Sequence, residues 1–210
     1  YRVELRGGPA VRPSLRLVAV SLADPRAPLP DPPALQPNWA RDLPVPARSQ
    51  LAEHPSIAGL ICSPTSLSMV LAFWGVEKPT AEVCQLVYDR GERIYGNWPF
   101  NTAAASALGM EAYVDRFWSV EQLQNEVAQG RPAIISVRFE PGQLRGAPIQ
   151  STNGHLIVVR GFTPEGDVVV NDPIAPSAAS VRRVYQREDL ERVWVHNAGG
   201  VVYVLAPRST

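Results

Sequence analysis

Apolar positions along this chain recur with two periods, and the change from one to the other organises it. Val3 and Leu5 alternate with polar neighbours, and SLRLVAVSL over 14–22 continues the alternation, so residues 1–22 read as strands. After Cys62, Leu67, Val70, Leu71 and Trp74 fall at helical spacing; Pro64 suits the first turn and Gly75 the stop. Thr80, following Pro79, is expected to cap a second helix that turns Val83, Leu86 and Val87 inward. The alanine-rich stretch 101–108 predicts a third helix ending at Gly109. Ser119 to Gln122 reads as a capping box opening a fourth, with Leu123 and Val127 on its apolar side until Gly130.

The period then changes to runs of β-branched residues at 133–139, 156–159, 168–170, 181–185 and 201–205. The segment 164–167 is a turn between two of them, and a short helix near 187–194 interrupts the series. Helices first and strands afterwards predict an α+β domain with segregated parts. From Pro25 to Pro46 the chain holds eight prolines, a composition that sustains neither helix nor central strand. The expected division is an N-terminal β element at 1–24, a Pro-rich linker at 25–41 and a main domain at 42–210.

Composition narrows the function classes. Twenty basic and twenty acidic residues cancel, which does not resemble the basic footprint of a nucleic-acid binder. No apolar stretch reaches the ~18 to 20 residues needed to cross a bilayer, so no integral membrane segment is expected. The first residues lack the apolar core of a signal peptide, and Tyr1 is not an initiator, as in a mature form or an excised fragment. Two cysteines make no disulfide framework, and the three histidines are scattered, so neither a metal site nor a cofactor is expected. Cys84 reads as a small buried hydrophobe.

Cys62 differs because it stands at the head of a helix, where unpartnered N–H groups and the helix dipole favour a thiolate, the nucleophilic form. His155, after Gly154 at the mouth of an apolar strand, is placed to accept the thiol proton and later protonate a leaving group. The glycine leaves room for a substrate or a neighbouring side chain. If the strands around 164–167 form a hairpin, Asp172 returns beside His155 and can hold one ring nitrogen. Asn171 could do the same work, but strand neighbours point to opposite faces, and Asp172 is preferred. The Cys62 backbone N–H and the Gln50 side chain are candidate oxyanion donors.

Taken in order, LPVPARSQ at 43–50, CSPTSLSMVL at 62–71, GHLIVVRG at 154–161 and NDP at 171–173 resemble the bacteriocin-leader-processing cysteine peptidases of the papain-like clan. The likeness is greatest to the stand-alone branch without a transporter, and it spans roughly residues 42–206. It implies a papain-like fold, with Cys62 as nucleophile, His155 as general base and acid, Asp172 as orienter and Gln50 as oxyanion donor. The YGNWPF segment at 95–100 also resembles that branch, where Trp98 would shape the cleft unless it is plain core. One departure stands out: the family usually has glycine after the nucleophile, and here Ser63 adds a side chain where substrate would approach.

The expected function is thiol-dependent hydrolysis of a peptide or related amide through an acyl-enzyme, the partner being a peptide or protein substrate. Transfer of the acyl group to an acceptor other than water is a variant of the same chemistry. The alternative is an inactive module binding peptide or cell-wall material, with Ser63, Trp98 and Gly154 lining the cleft in either case. The Pro-rich connector favours a modular protein acting outside the cytoplasm.

Overall fold

The computed structural model describes residues 18–22, 24 and 26–208. Of the strands expected at 1–22, residues 1–17 lie outside the described residues, and 18–22 form no ladder. Val18, Val20 and Leu22 stand exposed there. Alternation alone makes no strand, since a ladder needs a neighbour to complete its hydrogen bonds.

Helices α1 (Pro55–Ala58), α2 (Cys62–Phe73), α3 (Thr80–Val87) and α4 (Trp98–Ala107) come first. Strand β1 (Met110–Arg116) then precedes α5 (Val120–Ala128), β2 (Ala133–Phe139), β3 (Thr152–Phe162) and β4 (Val168–Asn171). The chain continues through α6 (Ala178–Val181), β5 (Arg182–Tyr185), α7 (Arg187–Glu191), a π-helical turn at Arg192–His196 and β6 (Val201–Pro207). Among the described residues the strands form one antiparallel sheet in the order β1-β6-β2-β3-β4-β5. The fold is α+β, but helices and strands are not segregated along the chain. β1 was absent from the sequence expectation because MEAYVDR carries charge at its exposed positions and too little apolar alternation.

Both faces of the sheet are covered. Ile134, Leu156, Val158, Tyr203 and Leu205 pack against α2, α3 and α4 on one side. Their strand neighbours Ile135, Ile157, Val159, Val202 and Val204 pack on the other, with α5 and α7. Coverage on both faces is why the central strands read as unbroken apolar runs rather than alternating ones.

Helix α2 lies in the middle and is buried on every side from Ser63 to Ala72, not along the single stripe expected. Its small polar residues can be buried because each hydroxyl is bonded: Thr65 Oγ1 to the Ile61 carbonyl, Ser66 Oγ to the Leu156 carbonyl, and Ser68 Oγ to the Thr65 carbonyl. Three other local expectations need correction. Leu86 is exposed, and Cys84 takes the inward place on α3. Thr80 is the first helical residue rather than the cap. Ser119 caps α5 by position only, its hydroxyl unbonded, while Gln122 Oε1 accepts the Trp118 N–H.

The Pro-rich segment is held against the domain over its second half. The Asn125 side chain accepts the Gln36 N–H at 2.8 Å and donates to the Ala34 carbonyl at 3.0 Å. Trp39 meets Phe162 edge-on. The chain then crosses β3 where the β3–β4 register shifts, with the Leu43 N–H on the Arg160 carbonyl and the Phe162 N–H on the Arg41 carbonyl. Asp42 pairs with Arg160 and Arg182, while Arg160 also reaches the Val45 carbonyl and Asn171. This lashing sets where the next residues, those leading to Gln50, enter the domain.

The crossing requires a glycine at 161, since a Cβ there would collide with the Arg41 carbonyl oxygen and lie 2.7 Å from the Asp42 Cα. Gly161→Ala is therefore expected to destabilise the protein by about 2 kcal/mol or more, as backbone is displaced rather than a flexible side chain. Urea denaturation would read the loss as a fall in midpoint, and an unchanged midpoint would refute the account.

Candidate active site

Cys62 is the first residue of α2. Its cap, Ile61, supplies no side-chain bond, and Pro64 brings no N–H to the first turn. The first helical donor with a partner is Thr65, on the Ile61 carbonyl at 3.0 Å. The N–H groups ahead of it are left for other use. One of them, from Ser63, and the N–H of Leu156 on β3 both act to lower the Cys62 pKa. Cys62 as a residue is half-buried.

His155, buried on β3, lies close enough to the Cys62 thiol for each to shift the other's pKa. Its Nε2 lies 2.7 Å from Asp172 Oδ1, which leaves Nδ1 as the nitrogen available to the thiol. The β3–β4 hairpin makes this meeting by pairing Val158 with Asn171 and Val159 with Val170, so the residue just past β4 returns beside the start of β3. Alternation separates the two neighbours as expected. Asn171 turns to the Val45 and Pro46 carbonyls, and Asp172 turns to His155.

The Asp172 carboxylate is buried and bonded at both oxygens. Besides His155, Oδ1 accepts the Ile174 N–H at 3.2 Å, and Oδ2 accepts the Tyr185 hydroxyl at 2.7 Å. Burial alone would raise its pKa, but His155, Tyr185 and the Ile174 N–H together hold it below the usual carboxylate range. For His155, burial opposes the charge, yet Asp172 and the Cys62 sulfur raise its pKa to about 10. For Cys62, burial again opposes charge, but His155 and the two backbone N–H groups bring the pKa below the ordinary thiol value. The arrangement favours a thiolate–imidazolium pair at neutral pH. Cys84 is the opposite case, since burial first and Glu53 second push its thiol up to about 12.

Gln50 is buried in a short 3-10 turn. Its N–H is bonded to the Pro173 carbonyl at 2.8 Å, and Ser49 Oγ is bonded to the Ala175 carbonyl. The Gln50 segment is thus tied to the loop that carries Asp172. Its Nε2 donates to the Ala58 carbonyl at 2.6 Å, which orients the amide and leaves a second N–H. Gln50 Oε1 is buried without a partner.

The expected cleft residues divide. Ser63 is fully buried, with Oγ 3.0 Å from the Tyr203 hydroxyl, so its side chain does not line the cleft. The phase of α2 turns position 63 into the sheet, and Ser63 is helical, without the positive φ that would require glycine. Gly154 is exposed, and an added Cβ would meet nothing within 4 Å, so the space beside His155 is open and no neighbour in this chain demands a glycine. Trp98 opens α4, half-buried against the apolar cluster that also receives Cys62. Tyr185 and the Ile174 N–H were not expected. Nothing in VRRVYQRED marks one tyrosine as a carboxylate partner, because the contact depends on the β4–β5 register.

Among the described residues no group of acidic, histidine and cysteine side chains could hold a metal ion, and no helix is long and apolar enough to cross a membrane.

The family model described as the Peptidase_C39 like family matches residues 42–201. No curated protein matches the chain. Among solved structures, a C39-like peptidase from Bacillus anthracis is 22% identical with TM-score 0.60, over 81% of this chain and 100% of that one. A double glycine motif protease from an AMS/PCAT transporter, solved with its leader peptide, is 23% identical with TM-score 0.57, over 80% and 94%. The peptidase domain of Streptococcus ComA is 17% identical with TM-score 0.54, over 78% and 99%. These likenesses show the papain-like fold of C39 peptidases.

Iodoacetamide at neutral pH is expected to label Cys62 and spare Cys84 in the native protein, as peptide mass mapping would show. The rate should rise through a pH below the ordinary thiol value of about 8.5, as the thiolate forms. It should inflect again near pH 10, where His155 gives up its proton. Labelling confined to Cys84 would contradict this charge distribution.

Proposed function

Because the chain belongs to the Peptidase_C39 like family, we propose that it is an active thiol peptidase in which Cys62, His155, Asp172 and Gln50 carry the reaction. The observation that supports this most directly is the buried 2.7 Å His155–Asp172 contact, with Cys62 at the head of α2 near enough to His155 for its pKa to fall.

In this reading the Cys62 thiolate attacks the carbonyl carbon of a peptide bond, and the carbonyl π electrons move to oxygen. That oxyanion is met by the free Cys62 N–H and the second Gln50 Nε2 hydrogen, donors already oriented before substrate arrives. Collapse expels the amine, which takes its proton from imidazolium His155, leaving a thioester on Cys62. His155, now neutral, accepts a proton from water as hydroxide oxygen adds to the thioester carbon. Expulsion of the thiolate then releases the acid and restores the ion pair. Asp172 stays ionised throughout, stabilising imidazolium and fixing the ring.

The substrate class is a peptide, in keeping with a structural relative solved with its leader peptide. The buried placement of Ser63 supports activity over the binding-module alternative, because its side chain is turned away from the side a substrate would approach.

The decisive measurement is the mass of the protein quenched during turnover of a peptide mixture. An acyl adduct on Cys62, absent from Cys62→Ala, is the expected result, with hydrolysed products accumulating. An added amine that appears in the products would identify acyl transfer. Gln50→Ala should lower kcat by about 10²- to 10³-fold with a small change in KM, the loss of one oxyanion donor. A reactive Cys62 with tight peptide binding and no turnover would favour the inactive module.

A further inference from the structure

We propose that Tyr185 is a positioning residue of this site, its hydroxyl locking the Asp172 carboxylate so that one oxygen is presented to His155. The inference rests on the reading of Asp172 as the partner of a working histidine.

Tyr185 ends β5 opposite Val168 and is fully buried in the cluster formed by α5, α7 and the strands, next to Val168 and Val170. A phenylalanine would fill the same apolar space. The hydroxyl is therefore the part that packing does not explain, and it lies 2.7 Å from Asp172 Oδ2. A buried phenol is stabilised by such an acceptor, and a buried carboxylate by such a donor.

The geometry divides labour between the carboxylate oxygens. Oδ1 receives His155 and the Ile174 N–H, while Oδ2 receives Tyr185 from another strand. With donors on opposite sides, the carboxylate cannot rotate about χ2 without breaking one of them. Removal of the hydroxyl leaves Oδ2 buried without that donor, and the carboxylate can swing away from Nε2. The charged and titratable groups facing the pair are His155 from β3, Arg183 on β5, and Cys62 across the His155 ring. Burial drives the Tyr185 hydroxyl pKa upward, and the neighbouring Asp172 charge adds to the shift, so the phenol remains a proton donor across the working pH range.

The test is the pH profile of Cys62 alkylation in Tyr185→Phe. The acid side should move to higher pH, with the rate near pH 6 falling about tenfold or more, as expected for loss of a hydrogen bond to a charged group. Val168→Ala is the control for ordinary loss of packing. It thins the same cluster beside Tyr185 and should lower the melting temperature without moving the profile. In an Asp172→Asn background, Tyr185→Phe should have little further effect, because the hydroxyl acts through that carboxylate. If Tyr185→Phe does not fold, site-specific 3-fluorotyrosine at 185 keeps the shape and strengthens the donor, and the acid side should move to lower pH.

An unmoved profile in folded Tyr185→Phe, or in the fluorotyrosine protein, would overturn the proposal. So would equal losses in the native and Asp172→Asn backgrounds. Failure of the enzymatic reading looks different: the native protein would label Cys62 yet turn over no peptide, and the Tyr185 effect on labelling would persist.

Discussion

Two buried side chains, His155 and Asp172, meet a half-buried cysteine, and the charge the three carry together constrains much of what surrounds them. A thiolate, an imidazolium and a carboxylate leave one negative charge over, and an uncompensated buried charge is costly. The compensation comes from elements distant in sequence. The Ser63 and Leu156 N–H groups lower the thiol pKa, while Tyr185 and the Ile174 N–H bond the carboxylate. Each device lowers the cost of negative charge, and His155 between them is held positive. A protein that buried the same groups without these donors would neutralise them by proton transfer and lose the ion pair.

The rest of the molecule can be read as support for that balance. Helix α2 is enclosed on all sides, so its amino end cannot shift without disturbing the core. The β3–β4 register shift opens a place for Asp42 against Gly161, and Arg160 then joins the incoming strap to Asn171. Gln50 follows on that strap and is bonded to the loop beyond Asp172. Gln50 and the loop that carries Asp172 are thereby fixed to one another through a backbone bond. Ser63 is accommodated by the same packing, its hydroxyl meeting Tyr203 behind Cys62.

Much of the site was legible in the residues. A cysteine before PTSLSMVL, a histidine opening an apolar run and an aspartate closing the next one are local signals, each tied to the end of an element. Less visible were features whose meaning lies across the sheet. MEAYVDR becomes a strand because β6 offers it a ladder, and the alternating residues 18–22 form none among the described residues. Ser63 looked like a cleft residue because the helix phase relative to the sheet cannot be read from α2 alone.

The sequence by itself determined most of the helices and strands near the site, which cysteine sits at a helix head, and which acid follows the hairpin, because capping, periodicity and turn chemistry act over a few residues. Tertiary structure decided which N–H groups lower the thiol pKa, that Tyr185 rather than another hydroxyl holds Asp172, and that α2 is surrounded rather than striped. Those outcomes depend on strand register and helix phase, which are set by burial summed over the whole core and leave no mark on any single segment.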